Sequence, residues 1–175
     1  HHPELVVFHI IGLPGITAES AYNHFSNPAS EVSAHYIVKR NGEVWQCVSE
    51  FDTAWANGSV SHKNGVPILP TNLLAKQAFQ TGVRINQISL SVENEGSEYE
   101  DITLAQYESN VFLAREFSRK FGFPIDSTHF CGHNEIKKLK VCPGHLSVGK
   151  IISMANEPIV SFSTVTFNTA KIELP

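Results

Sequence analysis

Apolar residues in this chain fall into short runs separated by glycine, proline and asparagine, and the period within each run predicts the element it forms. Leu5-Val6-Val7-Phe8-His9-Ile10-Ile11 is continuous, broken by one histidine and closed by Gly12 and Pro14, which predicts a strand buried on both faces of a sheet. Ala18 to Phe25 predicts a short helix ended by Asn27-Pro28. Two β-prone runs, His35 to Lys39 and Glu43 to Val48, are bridged by Asn41-Gly42, a hairpin signature. Glycine, proline, serine and asparagine dominate from Asn57 to Pro70 and predict a long surface loop of the kind that borders a cleft. Thr71 stands where it can cap a helix ending at Gly82. Residues 88 to 93 alternate, with Ile88, Leu90 and Val92 on one face and Ser89, Ser91 and Glu93 on the other, so polar groups line one side of this strand. Thr103 and Gln106 form a capping box that opens the best helix in the chain, with Leu104, Tyr107, Val111, Ala114 and Phe121 at helical spacing and Gly122 and Pro124 as stop signals. Thr128 to Gly132 predicts another buried strand with His133 at its end, and His145 to Ala155 a last short helix. Ile159 to Pro175 holds β-prone stretches without helical period, suited to an edge strand or a tail.

Composition narrows the partners. With 175 residues, 42% of them hydrophobic and 17% charged, the chain can bury a core as one globular domain. Its net charge of -4, with both signs interspersed, offers no basic face to a phosphate backbone, so nucleic acid is not an expected partner. No apolar run approaches the roughly 20 residues of a membrane-spanning helix, and the first residues lack a signal-peptide core, so no membrane partner is expected either. The three cysteines, Cys47, Cys131 and Cys142, are too few and too unevenly spaced for a disulfide framework. His1 and His2 are assigned no function.

His9, His133 and Cys142 are ligand types suited to zinc, and three such ligands leave a fourth tetrahedral position for water, as in catalytic sites. Each has a plainer reading beside it, a hydrogen-bonded core histidine or a small buried hydrophobe. His129 alternates onto the side of Cys131 and His133 and is the substitute ligand. Asn57 and His62 carry no assignment beyond a polar loop. A serine hydrolase lacks support because no Gly-x-Ser-x-Gly elbow occurs.

Taken together, Val7-Phe8-His9, Ser33 through Val44, Ala54-Trp55, Ile88 to Asn94, Gly132-His133-Asn134-Glu135-Ile136 and Lys140-Val141-Cys142-Pro143-Gly144 occur in an order that resembles the N-acetylmuramoyl-L-alanine amidase type 2 family. That family includes bacterial recycling and cell-wall amidases, phage endolysins and animal peptidoglycan recognition proteins. The resemblance spans about residues 5 to 155. It implies an α/β fold in a single domain, a central mixed β-sheet flanked by helices, with the catalytic domain over 1–155 and residues 156–175 a tail, edge strand or linker to a further module. It also implies Zn2+ held by His9, His133 and Cys142, the last where family members have aspartate or cysteine. Lys140 matches a lysine beside the metal that stabilises charge on the substrate oxygen. His35 and Trp55 are the candidate substrate-binding residues.

The general base departs from the family pattern. Where bacterial members read Glu-x-Glu, the first glutamate is Ser91, and where other members place a tyrosine before the hairpin histidine, this chain has Ala34. Glu93 lies two residues beyond Ser91 on the same strand face and is nominated as the base, with Ser91 and Tyr36 as side-chain rivals and, as a further alternative, a structural Glu93 with the metal alone serving the chemistry. The resemblance implies hydrolysis of the amide between N-acetylmuramic acid and L-alanine of the stem peptide, by a monomer acting on the bacterial cell wall as a phage endolysin or a secreted autolysin. The alternative is a peptidoglycan-binding module without catalysis.

Overall fold

The computed structural model describes residues 2–158 and 167–168. Its main sheet is mixed, as the resemblance implies. At its centre β1 (Leu5–Gly12) runs parallel to β6 (Ser89–Ser97) on one side and to β7 (Phe130–Gly132) on the other. Next to β6 lies β2 (Tyr36–Val38), also parallel, then β3 (Val44–Gln46), antiparallel to β2, and β8 (Phe167–Asn168), parallel to β3 at the edge. The strand order β7-β1-β6-β2-β3-β8 puts β1 and β6 in the interior, which is why β1 needs apolar residues on both faces.

The two faces are covered differently. On one, Val6 and Phe8 of β1, Leu90 and Val92 of β6 and Val38 of β2 pack against Tyr107, Val111, Ala114 and Phe117 of α3 (Leu104–Phe121) and Ile151 and Ala155 of α5 (Val148–Asn156). Each large side chain buried here contributes about 1.5–3 kcal/mol relative to exposure. The other face carries two separate apolar patches. Leu5, Val7 and Cys131 lie under α2 (Leu73–Thr81) and α4 (His133–Ile136), while Ile37 and Cys47 lie under α1 (Ala18–Phe25). Between the patches runs the polar side of β6, and the candidate site is there.

Local signals explain most boundaries. Thr103 Oγ1 accepts the Gln106 N–H at 3.1 Å and Gln106 Oε1 accepts the Thr103 N–H at 3.1 Å, closing the capping box of α3. Four expectations need correction. Asn72, not Thr71, caps α2: its side-chain oxygen accepts the Ala75 N–H at 3.0 Å, whereas the Thr71 hydroxyl donates to the Glu135 carbonyl at 3.3 Å. The last helix starts at Val148, where the Ser147 hydroxyl is placed to accept the Lys150 N–H, rather than at His145. β7 starts at Phe130 because Asp126 folds 126–129 into a turn by accepting the N–H groups of Thr128 and His129. The 57–70 loop contains a small hairpin of β4 (His62–Lys63) and β5 (Val66–Pro67), turned by Asn64-Gly65, both at positive φ. Residues 156–175 lie outside the described residues apart from 156–158 and Phe167–Asn168. Among the described residues no helix is long and apolar enough to cross a membrane.

Candidate metal centre

Ser89, Ser91, Glu93 and Glu95, alternate residues of β6, each organise neighbours on the polar face. Ser89 Oγ accepts from the Asn57 carboxamide at 2.9 Å. Ser91 pairs with His35: its N–H donates to His35 Nδ1 at 3.0 Å, so the ring carries its proton on Nε2 and donates it to the Asp52 carbonyl at 3.2 Å. Glu93 faces His9, with Oε1 3.9 Å from Nδ1. Glu95 accepts the Ala18 N–H at the start of α1 and the Arg40 N–H of the hairpin, both at 2.9 Å. The period-two pattern thus continues two residues past the alternation visible at 88–93.

His9, His133 and Cys142 converge in this strip, their ligand atoms all within 4.8 Å of one another. His9 comes from the middle of β1, where the Asn110 carboxamide donates to Asn94, and Asn94 in turn donates to the His9 carbonyl at 3.2 Å, fixing the backbone. His133 is the first residue of α4, directly after β7. Cys142 is held by the Ile10 N–H, which donates to its Sγ at 3.4 Å, and its carbonyl accepts from the Asn134 N–H. The loop that carries it presses so closely on the sheet that a Cβ on Gly132 would meet Pro143 Cδ at 2.7 Å, and one on Gly144 would meet the Glu98 backbone at 2.6 Å. The Cys142–Pro143 peptide bond is cis.

This donor set fits zinc. Cys142 Sγ lies 3.8 Å from His9 Nδ1. Bonds of about 2.0–2.3 Å in a tetrahedron place neighbouring donors roughly 3.5 Å apart, so the observed spacing is that of ligands more than of a hydrogen-bonded pair. Burial also keeps each group uncharged. It depresses His9 well below the usual imidazole value, lowers His133 to about 4, and pushes Cys142 up to about 12 and Glu93 up to about 8. A dication is the species that reverses the shifts of Cys142 and Glu93, drawing a proton from the thiol and stabilising the carboxylate, and it binds the imidazoles in the neutral form that burial already favours.

Lys140 is exposed at the rim, near enough that its charge lowers the pKa of both His133 and Cys142. His35 is 1% exposed with both ring nitrogens engaged, a placement that ties the hairpin to β6. Trp55 is 53% exposed, with the Arg84 guanidinium 5.9 Å from its ring, and borders a cleft of about 500 Å³ with Val60, Phe79 and Asn86. None of the three ligands lines that cleft, so its size alone does not mark the site; Asn86 connects the two by accepting the Asn57 N–H. His129 is turned away from the cluster, bonded to Asp126 at 2.8 Å and stacked on Phe123, because it still belongs to the Asp126 turn and the strand alternation that would align it with His133 begins only at Phe130. Tyr36 points to the opposite face and donates to Glu50 at 2.6 Å, and Ser91 is committed to His35. Both rivals to Glu93 are therefore occupied elsewhere. The residue that composition did not mark is Asn57. It is buried, and its carbonyl accepts from His133 Nε2 at 3.1 Å. No local pattern signals this role.

Residues 1–145 match the family model described as N-acetylmuramoyl-L-alanine amidase. The 1,6-anhydro-N-acetylmuramyl-L-alanine amidase AmpD of Haemophilus influenzae is 32% identical over 114 residues, covering 65% of this chain and 52% of that protein. The chain thus spans about half the length of that relative. Among solved structures, the N-acetylmuramoyl-L-alanine amidase LysC of Clostridium intestinale superposes with a TM-score of 0.62 at 18% identity, over 89% of this chain and 86% of that one. The E. coli N-acetylmuramyl-L-alanine amidase AmiD, in complex with the substrate anhydro-N-acetylmuramic acid-L-Ala-D-gamma-Glu-L-Lys, superposes with a TM-score of 0.53 at 20% identity, over 77% and 49%. By the extent of the family match, and with these relatives beside it, the chain belongs to the N-acetylmuramoyl-L-alanine amidase family.

Proposed function

We propose that this chain is a zinc-dependent hydrolase that cuts the amide between the lactyl group of N-acetylmuramic acid and L-alanine of peptidoglycan. The observation that carries the reading is the convergence of His9, His133 and Cys142 in a member of this family. Zinc bound there supplies a Lewis acid that activates water and polarises the scissile carbonyl. The chain's own residues supply the rest. Glu93 takes the proton of the attacking water and returns it to the departing alanine amine. Its raised pKa belongs to a carboxyl without a cation beside it, and a dication brings it towards the range where it exchanges protons near neutrality. Lys140 stabilises the negative charge that develops on the carbonyl oxygen. Trp55 contacts the glycan or the stem peptide at the cleft, and His35 supports the wall of the site through Ser91. Residues 1–155 form the catalytic unit, with 156–175 a tail or linker. The substrate bound to AmiD supports peptidoglycan as the partner, and the resemblance to phage and bacterial wall enzymes supports an endolysin or a secreted autolysin.

Mass spectrometry of purified peptidoglycan after digestion tests the bond. Free stem peptides that begin with L-alanine are expected with zinc and not with chelator. Disaccharide fragments, or peptides cut within the stem, would overturn the assignment. The second reading, wall binding without turnover, draws on Ser91 and Ala34 standing where the usual bases stand. It requires zinc-loaded protein to sediment with walls while releasing no peptide.

A further inference from the structure

Asn57 is bonded to one candidate histidine ligand through its main chain, and its side-chain oxygen is buried without a partner, as is a ring nitrogen of the other. Its carbonyl takes the Nε2–H of His133 at 3.1 Å, which leaves His133 Nδ1 as the nitrogen with a lone pair. On His9 it is Nδ1 that faces Cys142 and Glu93, while Nε2 is buried without a hydrogen-bond partner. Asn57 Oδ1 is the matching orphan, an acceptor buried without a donor. The two orphans are complementary, a ring N–H donor and a carboxamide acceptor, and the Asn57 side chain is among the groups close enough to the His9 ring to act on it electrostatically. The carboxamide cannot easily present its other end, because Nδ2 donates to Ser89 Oγ at 2.9 Å and the Asn57 N–H is fixed on Asn86 at 3.0 Å.

We propose that Asn57 is the positioning residue of the metal centre, accepting the Nε2–H of His9 on its side chain and of His133 on its backbone so that both rings offer Nδ1 to zinc. This rests on the zinc reading above. Histidine ligands donate their second ring N–H to an acceptor that fixes ring orientation and raises ligand basicity, and loss of such an acceptor costs about 10–100-fold in metal affinity or activity. Here one loop residue serves both ligands, so the 57–60 segment that borders the Trp55 cleft is also the segment that orients the metal site.

The test uses Asn57→Leu, which keeps bulk and removes the acceptor, and Asn57→Asp, which keeps an acceptor. Zinc affinity is measured by chelator competition, and ring protonation by long-range 1H–15N correlation of the histidine side chains. In the zinc-loaded wild type, His9 and His133 are expected to carry the metal on Nδ1 and the proton on Nε2. Asn57→Leu should lower zinc affinity about 10–100-fold and disturb the His9 ring signals, while His133, whose acceptor is the unchanged main chain, keeps its pattern. Asn57→Asp should hold zinc at least as tightly as wild type. Metal on Nε2 of His9 in the wild type overturns the proposal, whether or not a variant folds. So does an Asn57→Leu protein with unchanged affinity, or an Asn57→Asp protein as weak as Asn57→Leu. A wild type that binds no zinc at all fails the functional reading instead, which keeps the two outcomes apart.

Discussion

β6 serves two environments at once. Its even-numbered residues, Leu90 and Val92, join the continuous apolar layer under α3 and α5, whereas Ser89, Ser91, Glu93 and Glu95 each hold a different loop or ring on the opposite face. One face is built for cohesion, and many of its contacts are interchangeable in kind. The other is built for placement, and each residue there holds specific partners, Glu95 two of them. The contrast shows how the domain can carry several buried polar groups. Its stability comes from a layer that the site does not interrupt, so the polar strip is free to hold groups that burial disfavours.

That separation can be broken experimentally. The largest effect is expected from Glu93→Gln, which keeps shape and removes the proposed base. Single-turnover hydrolysis should slow by about 10²–10⁴-fold while zinc affinity and the thermal midpoint stay near wild type. A variant that hydrolyses at the wild-type rate would return the proton transfer to another group. Next is Phe117→Ala on the apolar side. Urea denaturation should report a loss of about 3–5 kcal/mol, with zinc affinity of the still-folded protein within about twofold of wild type. If affinity falls in step with stability, the two faces are one cooperative structure and the division drawn above fails.

The smallest effect concerns His35, buried on the polar face with its pKa lowered to about 4 by burial. Because the folded value lies below the ordinary value of 6.5, the unfolded chain takes up the proton first as pH falls. Stability from this group is therefore level above pH 6.5 and declines between about 6.5 and 4, by roughly 3 kcal/mol in total. In chelator, the pH slope of stability in His35→Gln should be shallower than in wild type by about one proton over that interval. Equal slopes would mean that His35 is not held neutral by the fold.

Periodicity made much of this legible. The continuous run at 5–11 and the alternation at 88–93 identify the two central strands, and the Thr103–Gln106 pair marks the start of α3 to the residue, because each signal is local. The three residues that converge, His9, His133 and Cys142, are named from residue type and from the resemblance carried by the order of blocks along the chain. What stayed hidden depends on contacts remote in sequence. Thr71 loses the capping role to Asn72 because of Glu135, and the register of His129 is set by Asp126 folding the chain before β7 begins. Asn57 is the clearest case, since an asparagine in a glycine-rich loop looks like a turn residue until Asn86, Ser89 and His133 are seen around it.

His9 and Cys142 meet although 133 positions separate them along the chain. Closing so long a loop in an unfolded polypeptide is entropically unfavourable, so the isolated ligands have little appetite for a cation before the sheet has assembled. In the zinc reading proposed for this site, ion capture is consequently a late event in biogenesis and a readout of completed folding: a chain released before residue 142 would lack the proposed sulfur donor, whatever the quality of the strands already made.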